Sequence, residues 1–208
     1  MQIYYSTNSP YARIVRIAAI EAGLVDRIEL IKVVNRSPDS PLLAYSPVCR
    51  VPTLVDGDLV LGEARNICGY FDWLTGTPRF IPDEADWRTR AEESVMSGFL
   101  DGIAVWVREL RRQPDKRSDS ILSVEAKRAA RCLEHFEKSR VELKARPAWD
   151  FGHIALACAL EIMDLNQLVS NWSGHYSLLS DWFEDRRTQP AMKTTKPLMA
   201  ATQQAPLG

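Results

Sequence analysis

Two hydrophobic patterns divide the chain near residue 76. The first 76 residues contain short β-rich runs between turns, whereas from Trp87 onward apolar residues recur every three or four positions. The stretch between them is rich in proline and acidic residues, a composition typical of a linker. The pattern predicts an α/β domain over 1–76, a linker over 77–86, an all-α domain over 87–190 and a tail over 191–208.

The elements of the first domain follow the order β-α-β, an irregular segment, then β-β-α. Two β-rich runs, at 2–6 and 28–34, flank a helix that begins at Pro10. A hairpin follows around Asp56-Gly57-Asp58, and a helix from Glu63 to Leu74 ends the domain. This order is the one that a thioredoxin-like domain requires, and we expect that fold here.

Amphipathic stretches predict a helical bundle in the second half. The first stretch places an apolar stripe at Val95, Phe99, Ile103, Trp106 and Leu110. A second helix is expected over Val124–Leu143, and a nearly all-apolar helix follows Asp150, which is predicted to be its structural N-cap. A last helix is expected over 176–187, and the residues beyond Pro190 are predicted to be loosely held.

Composition and charge exclude several classes of protein. The 208 residues contain 26 Lys plus Arg against 27 Asp plus Glu, so the charge gives no electrostatic case for binding nucleic acid or an acidic membrane. No apolar run approaches the length of a membrane span, and the chain enters a strand without a leader pattern. We therefore expect a cytoplasmic protein that binds neither nucleic acid nor membrane.

Cysteines and histidines give no sign of a metal or disulfide site. The cysteines stand at Cys49, Cys68, Cys132 and Cys158, with no C-x-x-C pair, and the last three fall among apolar helical neighbours. Buried, inert thiols are the preferred interpretation of those three, whereas Cys49 lies beside the candidate site. The three histidines show no ligand spacing, so we expect no metal.

Ser9, directly before Pro10, has two interpretations that are compatible with each other. Serine before proline at a helix start is a common N-cap, which explains the pair without any catalytic role. The same helix end carries partial positive charge, lowers the pKa of a thiol placed against it, and lets the hydroxyl donate to a thiolate. Ser9 is therefore the candidate catalytic residue. Tyr5 and Ser6, at the end of the first strand, remain alternatives.

The Val51-Pro52 pair precedes the third predicted strand. Pro52 can be only a turn device, and its isomer is not set by the sequence. A cis bond would turn the Val51 backbone toward the site, where its N–H and C=O groups could pair with an extended peptide ligand. Redox chemistry is disfavoured, because Ser9 occupies the place where a low-pKa cysteine would stand.

Five segments of the chain resemble the glutathione transferase family. They are Ser9 to Arg16, Val51 to Leu54, Glu63 to Arg65, Trp149 to Leu160 and Asp181 to Met192. The resemblance extends to about residue 197 and is most like a bacterial, YibF-like branch. It implies the glutathione transferase fold, in which a thioredoxin-like domain is followed by an all-α helical bundle.

The resemblance implies a glutathione site. Ser9 would hydrogen-bond the glutathione sulfur, the Val51 backbone would pair with the cysteinyl unit, and Arg50 would reach the glycyl carboxylate. Glu63 and the N–H groups that follow it would hold the γ-glutamyl end.

Ala64 departs from the family pattern, which usually has serine at this position. The lost hydroxyl contact would cost about 1–2 kcal/mol of binding, and Arg65 is the candidate to compensate for it.

The resemblance further implies a detoxifying enzyme with glutathione as cosubstrate and a small apolar electrophile as second substrate. Most of the apolar stripe is expected to be bundle core, but its edge facing the N-terminal domain is the candidate wall for that electrophile, with Tyr11, Phe99, Ile103 and Trp106. The alternative, indicated by Ala64, is a non-catalytic ligand-binding or protein-interaction scaffold. Thiol-assisted reduction or isomerisation is a third possibility. The resemblance also implies a homodimer that covers part of the helix containing Asn66 and Tyr70.

Overall fold

A mixed four-stranded sheet forms the N-terminal half of the protein. In the computed structural model, which describes residues 1–34, 37–81, 87–139 and 149–198, the strands are β1 (Gln2–Tyr5), β2 (Glu29–Lys32), β3 (Thr53–Asp56) and β4 (Leu59–Gly62). Their order is β2-β1-β3-β4, with β1 parallel to β2 and antiparallel to β3. The β3–β4 hairpin is antiparallel, so the topology is the thioredoxin-like one that the sequence predicts.

Two helices accompany the sheet and pack against each other, α1 (Pro10–Glu21) and α2 (Ala64–Thr75). Each is followed by a glycine in the left-handed region, Gly23 at φ +67° and Gly76 at φ +66°, where a side chain would be strained. The described part of the segment predicted to be irregular contains one 3-10 helix, Pro41–Ala44. Local sequence signals therefore set the ends of these elements.

The second half is helical, as predicted. Among the described residues its helices are α3 (Trp87–Leu110), α4 (Asp119–Lys138), α5 (Phe151–Leu165), α6 (Trp172–His175), α7 (Ser177–Arg187) and α8 (Pro190–Thr194). Helix α5 lies at the centre and packs against α3, α7 and the N-terminal α1. Every residue from Phe151 to Met163 is buried, in keeping with an apolar pattern that runs nearly all round the helix. Asp150 caps it by accepting a bond of 2.9 Å from the His153 N–H.

Helix α4 begins earlier than the predicted Val124–Leu143. Its first residue is Asp119, because the Ser118 hydroxyl accepts a bond of 3.4 Å from the Ile121 N–H and so caps the helix there. The predicted range was therefore wrong at its start. The helix extends to Lys138, and residues 140–143 of the predicted range lie outside the described residues. Residues 82–86 of the predicted linker also lie outside them.

The chain beyond Pro190 is packed for longer than the sequence predicts. Ala191 and Met192 lie on α8 and are buried, and Thr195 is buried as well. Arg13 of α1 donates hydrogen bonds to the Met192 carbonyl and the Thr195 hydroxyl. The loosely held segment therefore cannot begin at 191, because these contacts tie the chain to the N-terminal half as far as Thr195.

The four cysteines are free thiols. Cys68 and Cys158 are fully buried, and burial raises the pKa of both thiols, for Cys158 to about 11. Cys132 is half-buried rather than buried. Among the described residues, no group of His, Cys, Asp or Glu side chains is arranged to hold a metal ion. No described helix has the length and hydropathy needed to cross a membrane.

Candidate active site

An open cleft between the two halves contains many of the predicted site residues. It has two connected pockets that share Tyr11, Arg50 and Val51. The sheet-side pocket, about 360 Å³, lies between the loop before β3, the β3–β4 hairpin and the start of α2. The helix-side pocket, about 740 Å³, lies between the start of α1 and one face of α3. One ligand can therefore extend from the sheet edge into the space beside the helical half.

The loop before β3 presents free backbone groups to the sheet-side pocket. The Val51–Pro52 peptide bond is cis, and both residues line the pocket. The Thr53 hydroxyl, at the start of β3, donates a bond of 2.8 Å to the Arg50 carbonyl and so ties the loop to the strand. No hydrogen bond joins the Val51 backbone to another described residue. The Val51 N–H and C=O groups are therefore available to an extended peptide.

The start of α2 forms the opposite end of the sheet-side pocket. Glu63 precedes the helix with φ +64° and ψ 124°, a conformation that residues other than glycine rarely adopt, and its side chain makes no cap bond. The first-turn N–H groups of Ala64, Arg65 and Asn66 have no partner among the described residues. Unpaired N–H groups at the positive end of a helix favour an anion, so this end of the pocket suits a carboxylate.

Arg50 and Glu63 face each other across the sheet-side pocket. Their charged groups are 4.0 Å apart, and the two side chains are 57% and 71% exposed. An exposed pair at this distance holds its members weakly. Both charges are therefore free to turn toward a ligand.

Arg65 lies outside the cleft. Its guanidinium bonds Glu93 of α3 at 2.5 Å, and it lines neither pocket. The structure therefore does not bring this predicted residue to the site. Asn66, one residue further along α2, does line the sheet-side pocket, although sequence reasoning placed it only on a dimer face.

Ser9 lines the helix-side pocket and caps α1 at the same time. Its hydroxyl oxygen accepts a bond of 3.2 Å from the Ala12 N–H. A hydroxyl has one hydrogen and two lone pairs, so accepting this bond leaves its hydrogen available to donate into the pocket. Both interpretations of Ser9 are thus geometrically compatible.

The two alternatives to Ser9 lie in different surroundings. Ser6 lines the helix-side pocket, and its carbonyl accepts a bond of 3.1 Å from the Ser9 N–H. The Tyr5 ring lies under the Arg16 guanidinium, 4.9 Å from its centroid, and lines neither pocket. Of the two, only Ser6 reaches the cleft.

Tyr11 forms the wall between the two pockets. Its hydroxyl donates a hydrogen bond of 2.5 Å to Asp101 of α3. Burial, and then this bond, raise the pKa of Tyr11 above its usual value. The hydroxyl therefore stays protonated and bonded to Asp101 at neutral pH.

The apolar stripe of α3 does not form the cleft wall. Phe99 and Ile103 are each 1% exposed in the hydrophobic core, and Trp106 packs against the same core. These three residues therefore belong to the bundle core, as expected for most of the stripe, and the structure does not bring them into either pocket. The next face of α3 lines the helix-side pocket instead, with Ala104, Val107 and Arg108, and it continues to Arg111 just after the helix. Their i, i+3, i+4, i+7 spacing was the available signal for this face.

Comparison with known proteins supports the family assignment. Residues 8–74 match the family described as the N-terminal domain of glutathione S-transferase. A curated relative, the stringent starvation protein A homolog of Coxiella burnetii, is 34% identical over 82 residues, which are 39% of this chain and 38% of the relative. The alignment thus spans well under half of that relative's length. Its name does not confirm the predicted YibF-like branch.

Solved structures match over nearly the whole chain. A glutathione transferase family member from Pseudomonas fluorescens Pf-5, with bound glutathione, is 27% identical with a TM-score of 0.84, over 95% of this chain and 98% of that one. A glutathione transferase family member from the same species, with bound S-(propanoic acid)-glutathione, is also 27% identical. Its TM-score is 0.80, and the match covers 95% of this chain and 100% of that one. The chain has the glutathione transferase fold, and the comparisons support membership of that superfamily.

Proposed function

We propose that the protein is a glutathione transferase that joins the sulfur of glutathione to a small electrophile. The observation that carries this proposal is that Ser9, at the positive end of α1, lies in the same cleft as the free Val51 backbone and the start of α2. The Pseudomonas structures were obtained with glutathione and with a glutathione conjugate, which supports a glutathione site in this chain as well.

Glutathione would extend along the cleft from α2 toward α1. Its γ-glutamyl carboxylate would accept from the unpaired N–H groups of Ala64 and Arg65, and its cysteinyl unit would pair with the Val51 backbone. Arg50, which lines both pockets, would bind the glycyl carboxylate. This placement directs the sulfur toward Ser9.

Ser9 would stabilise the thiolate in two ways. Its hydroxyl would donate to the sulfur, and the N-terminus of α1 would contribute partial positive charge, so that the thiol proton leaves to water at a lower pH. The thiolate then forms a C–S bond with the electrophilic carbon, and the leaving group departs with its electron pair. Each unit by which the bound-thiol pKa falls corresponds to about 1.4 kcal/mol of thiolate stabilisation.

Ala64 supports a second candidate, a non-catalytic ligand-binding or interaction scaffold. It is buried at the first position of α2, lines the sheet-side pocket and has no hydroxyl to donate. The lost contact would weaken glutathione binding by about 1–2 kcal/mol unless the Asn66 amide, in the same pocket, replaces it. A scaffold of this kind would not activate a thiol.

Four finer expectations accompany the proposal. We propose a homodimer that covers the side of α2 around Tyr70, whose ring stacks on the 71% exposed Trp73. Light scattering on the purified protein tests this. A cytoplasmic location, a role in detoxification and a place in a YibF-like branch also stay proposals.

Calorimetric titration with glutathione, combined with thiolate absorbance measured against pH, tests the function. We expect binding with a bound-thiol pKa well below that of free glutathione. Ser9→Ala and Ser9→Gly should both reduce this pKa shift by removing the share that the hydroxyl contributes, although glycine preserves most of the cap stability. Ser6→Ala is the matched control, since Ser6 lines the same pocket without capping a helix.

Each contrary outcome has a definite meaning. Binding with an unshifted thiol pKa in wild type would overturn the transferase mechanism and favour the scaffold. A pKa shift that is reduced in Ser6→Ala but unchanged in Ser9→Gly would transfer the role to Ser6. No binding at millimolar glutathione would overturn the glutathione site itself.

A further inference from the structure

Two arginines line the helix-side pocket at the C-terminal end of α3. Arg108 lies on the helix and Arg111 directly follows its last residue, beside the apolar Ala104 and Val107. Arg50 lines the same pocket from the loop before β3. No aspartate or glutamate is among the described residues that line it. The pocket therefore combines three positive charges with an apolar wall.

Neither Arg108 nor Arg111 has a side-chain partner in the described part of the chain. No hydrogen bond or ion pair joins the Arg108 or Arg111 side chain to another described residue. Partial burial, and then the nearby Arg108 charge, lower the pKa of Arg111. Two guanidinium groups thus stand close together without a counter-charge from the described part of the chain, an arrangement that a bound anion would stabilise.

The ordinary role of arginine at a helix C-terminus is filled by other residues. Arg117 donates bonds of 2.7 Å to the Leu110 carbonyl and 3.1 Å to the Arg112 carbonyl. Arg112 also pairs with Glu109 at 3.7 Å. Capping the end of α3 therefore does not account for Arg108 and Arg111.

The nearest acid on the cleft side of α3 is also engaged elsewhere. Asp101 accepts the Tyr11 hydroxyl bond and does not line the helix-side pocket. It stands seven residues before Arg108, about two helical turns away. It therefore leaves the pair of arginines free for a ligand.

Resting on the proposed function, we propose that the second substrate is an electrophile that carries a carboxylate, bound by Arg108 and Arg111. The carboxylate lies against α3, the hydrocarbon part lies along Val107 and Ile162, and the reacting carbon faces Ser9. This changes the expectation from the sequence, in which the electrophile was simply apolar. Guanidinium groups suit this task because they bind carboxylates through two parallel N–H donors.

A pair of probes that differ only in charge tests the proposal. In 4-(bromomethyl)benzoate and 4-(bromomethyl)benzamide, the glutathione sulfur attacks the same benzylic carbon, bromide leaves with its electron pair, and the thiol proton passes to water. We expect wild type to have a higher kcat/KM for the benzoate. Arg108→Gln with Arg111→Gln should lower the benzoate-to-benzamide ratio about ten- to a hundredfold. Arg112→Gln, on the same helix end but outside the pocket, should leave the ratio unchanged.

The results separate this proposal from alternatives. An unchanged ratio in the double variant would overturn it. A loss of glutathione affinity with an unchanged ratio would show that the arginines hold the glycyl carboxylate of glutathione instead.

A binding measurement keeps the proposal testable if no turnover occurs. The unreactive 4-methylbenzoate and 4-methylbenzamide can be titrated without glutathione, so failure of the proposed transferase would not hide the anion site. Preference for the benzoate, lost in the double variant, would support the site. Equal binding of the two compounds by wild type would overturn it.

Discussion

Arg13 and Glu161 form an ion pair of 2.8 Å with side chains only 1% and 4% exposed. Arg13 lies on α1 and Glu161 on α5, so the pair joins the two halves of the fold. The same guanidinium donates to the Met192 carbonyl at 3.1 Å and to the Thr195 hydroxyl at 3.3 Å. Because α1 begins next to Ser9, these bonds help to hold one wall of the cleft against the helical half.

Breaking this pair should destabilise the protein strongly. Arg13→Met leaves the Glu161 carboxylate buried without its partner, which should lower the free energy of unfolding by about 3–5 kcal/mol. Urea denaturation followed by circular dichroism measures the change. Adding Glu161→Met should recover much of it, because the uncompensated charge is removed.

An exposed pair is the matched control for that experiment. Lys138 and Glu134 are 2.7 Å apart but 72% and 60% exposed, so Lys138→Met should change the unfolding midpoint very little. Equal effects of Arg13→Met and Lys138→Met would contradict the burial argument.

Ser9→Cys should create a reactive thiol. The N-terminus of α1 favours the thiolate, so the pKa of the introduced thiol should fall from about 8.5 to about 7 or below. The rate of alkylation at position 9 against pH, followed by mass spectrometry, measures this pKa. Ser6→Cys places a thiol in the same pocket away from the helix start and should titrate at higher pH. Equal pKa values for the two thiols would mean that the end of α1 does not act on the pocket.

Arg50 and Arg65 should differ in their effect on glutathione binding. Arg50 lines both pockets, whereas the Arg65 guanidinium is bonded to Glu93 outside the cleft. Arg50→Gln should weaken the calorimetric Kd for glutathione about three- to tenfold, and Arg65→Gln should change it less than about twofold. A larger effect of Arg65→Gln would show that this side chain leaves Glu93 for the ligand.

Alkaline pH should destabilise the protein through its buried thiols. Burial raises the pKa of Cys158 from 9.0 to about 11, so the unfolded chain loses this proton at lower pH than the folded protein. The stabilisation is complete below pH 9.0 and is lost as the pH rises toward about 11, at about 1.4 kcal/mol per pH unit.

Urea denaturation of Cys158→Ala at several alkaline pH values tests this directly. The variant should have a shallower decline of unfolding free energy with pH than wild type. Ala155→Gly is a suitable control, because it weakens the same buried helix without removing a titratable group. A slope unchanged in Cys158→Ala would contradict the assignment.

Local chemistry along the chain predicted much of this fold. Ser9 and Pro10 start α1, Asp150 starts α5, and the glycine after α2 ends it, because caps and turns depend on a few adjacent residues. The β-rich runs and the hairpin turn also depend on adjacent residues, so their pattern predicted the thioredoxin-like order of elements. Helix α4 was placed too late because the cap at Ser118 lies within a polar stretch that resembles a loop.

The sequence by itself determined the order of elements, their caps and the presence of Ser9 and Val51 near one site. Only the tertiary structure decided which face of α3 borders the cleft, and it buried Phe99 while exposing Arg108 to the pocket. It also directed Arg65 to Glu93 and packed Met192 beside Arg13. The physical reason is that helical periodicity identifies apolar and polar faces, whereas the neighbour of each face depends on contacts between residues far apart in the chain.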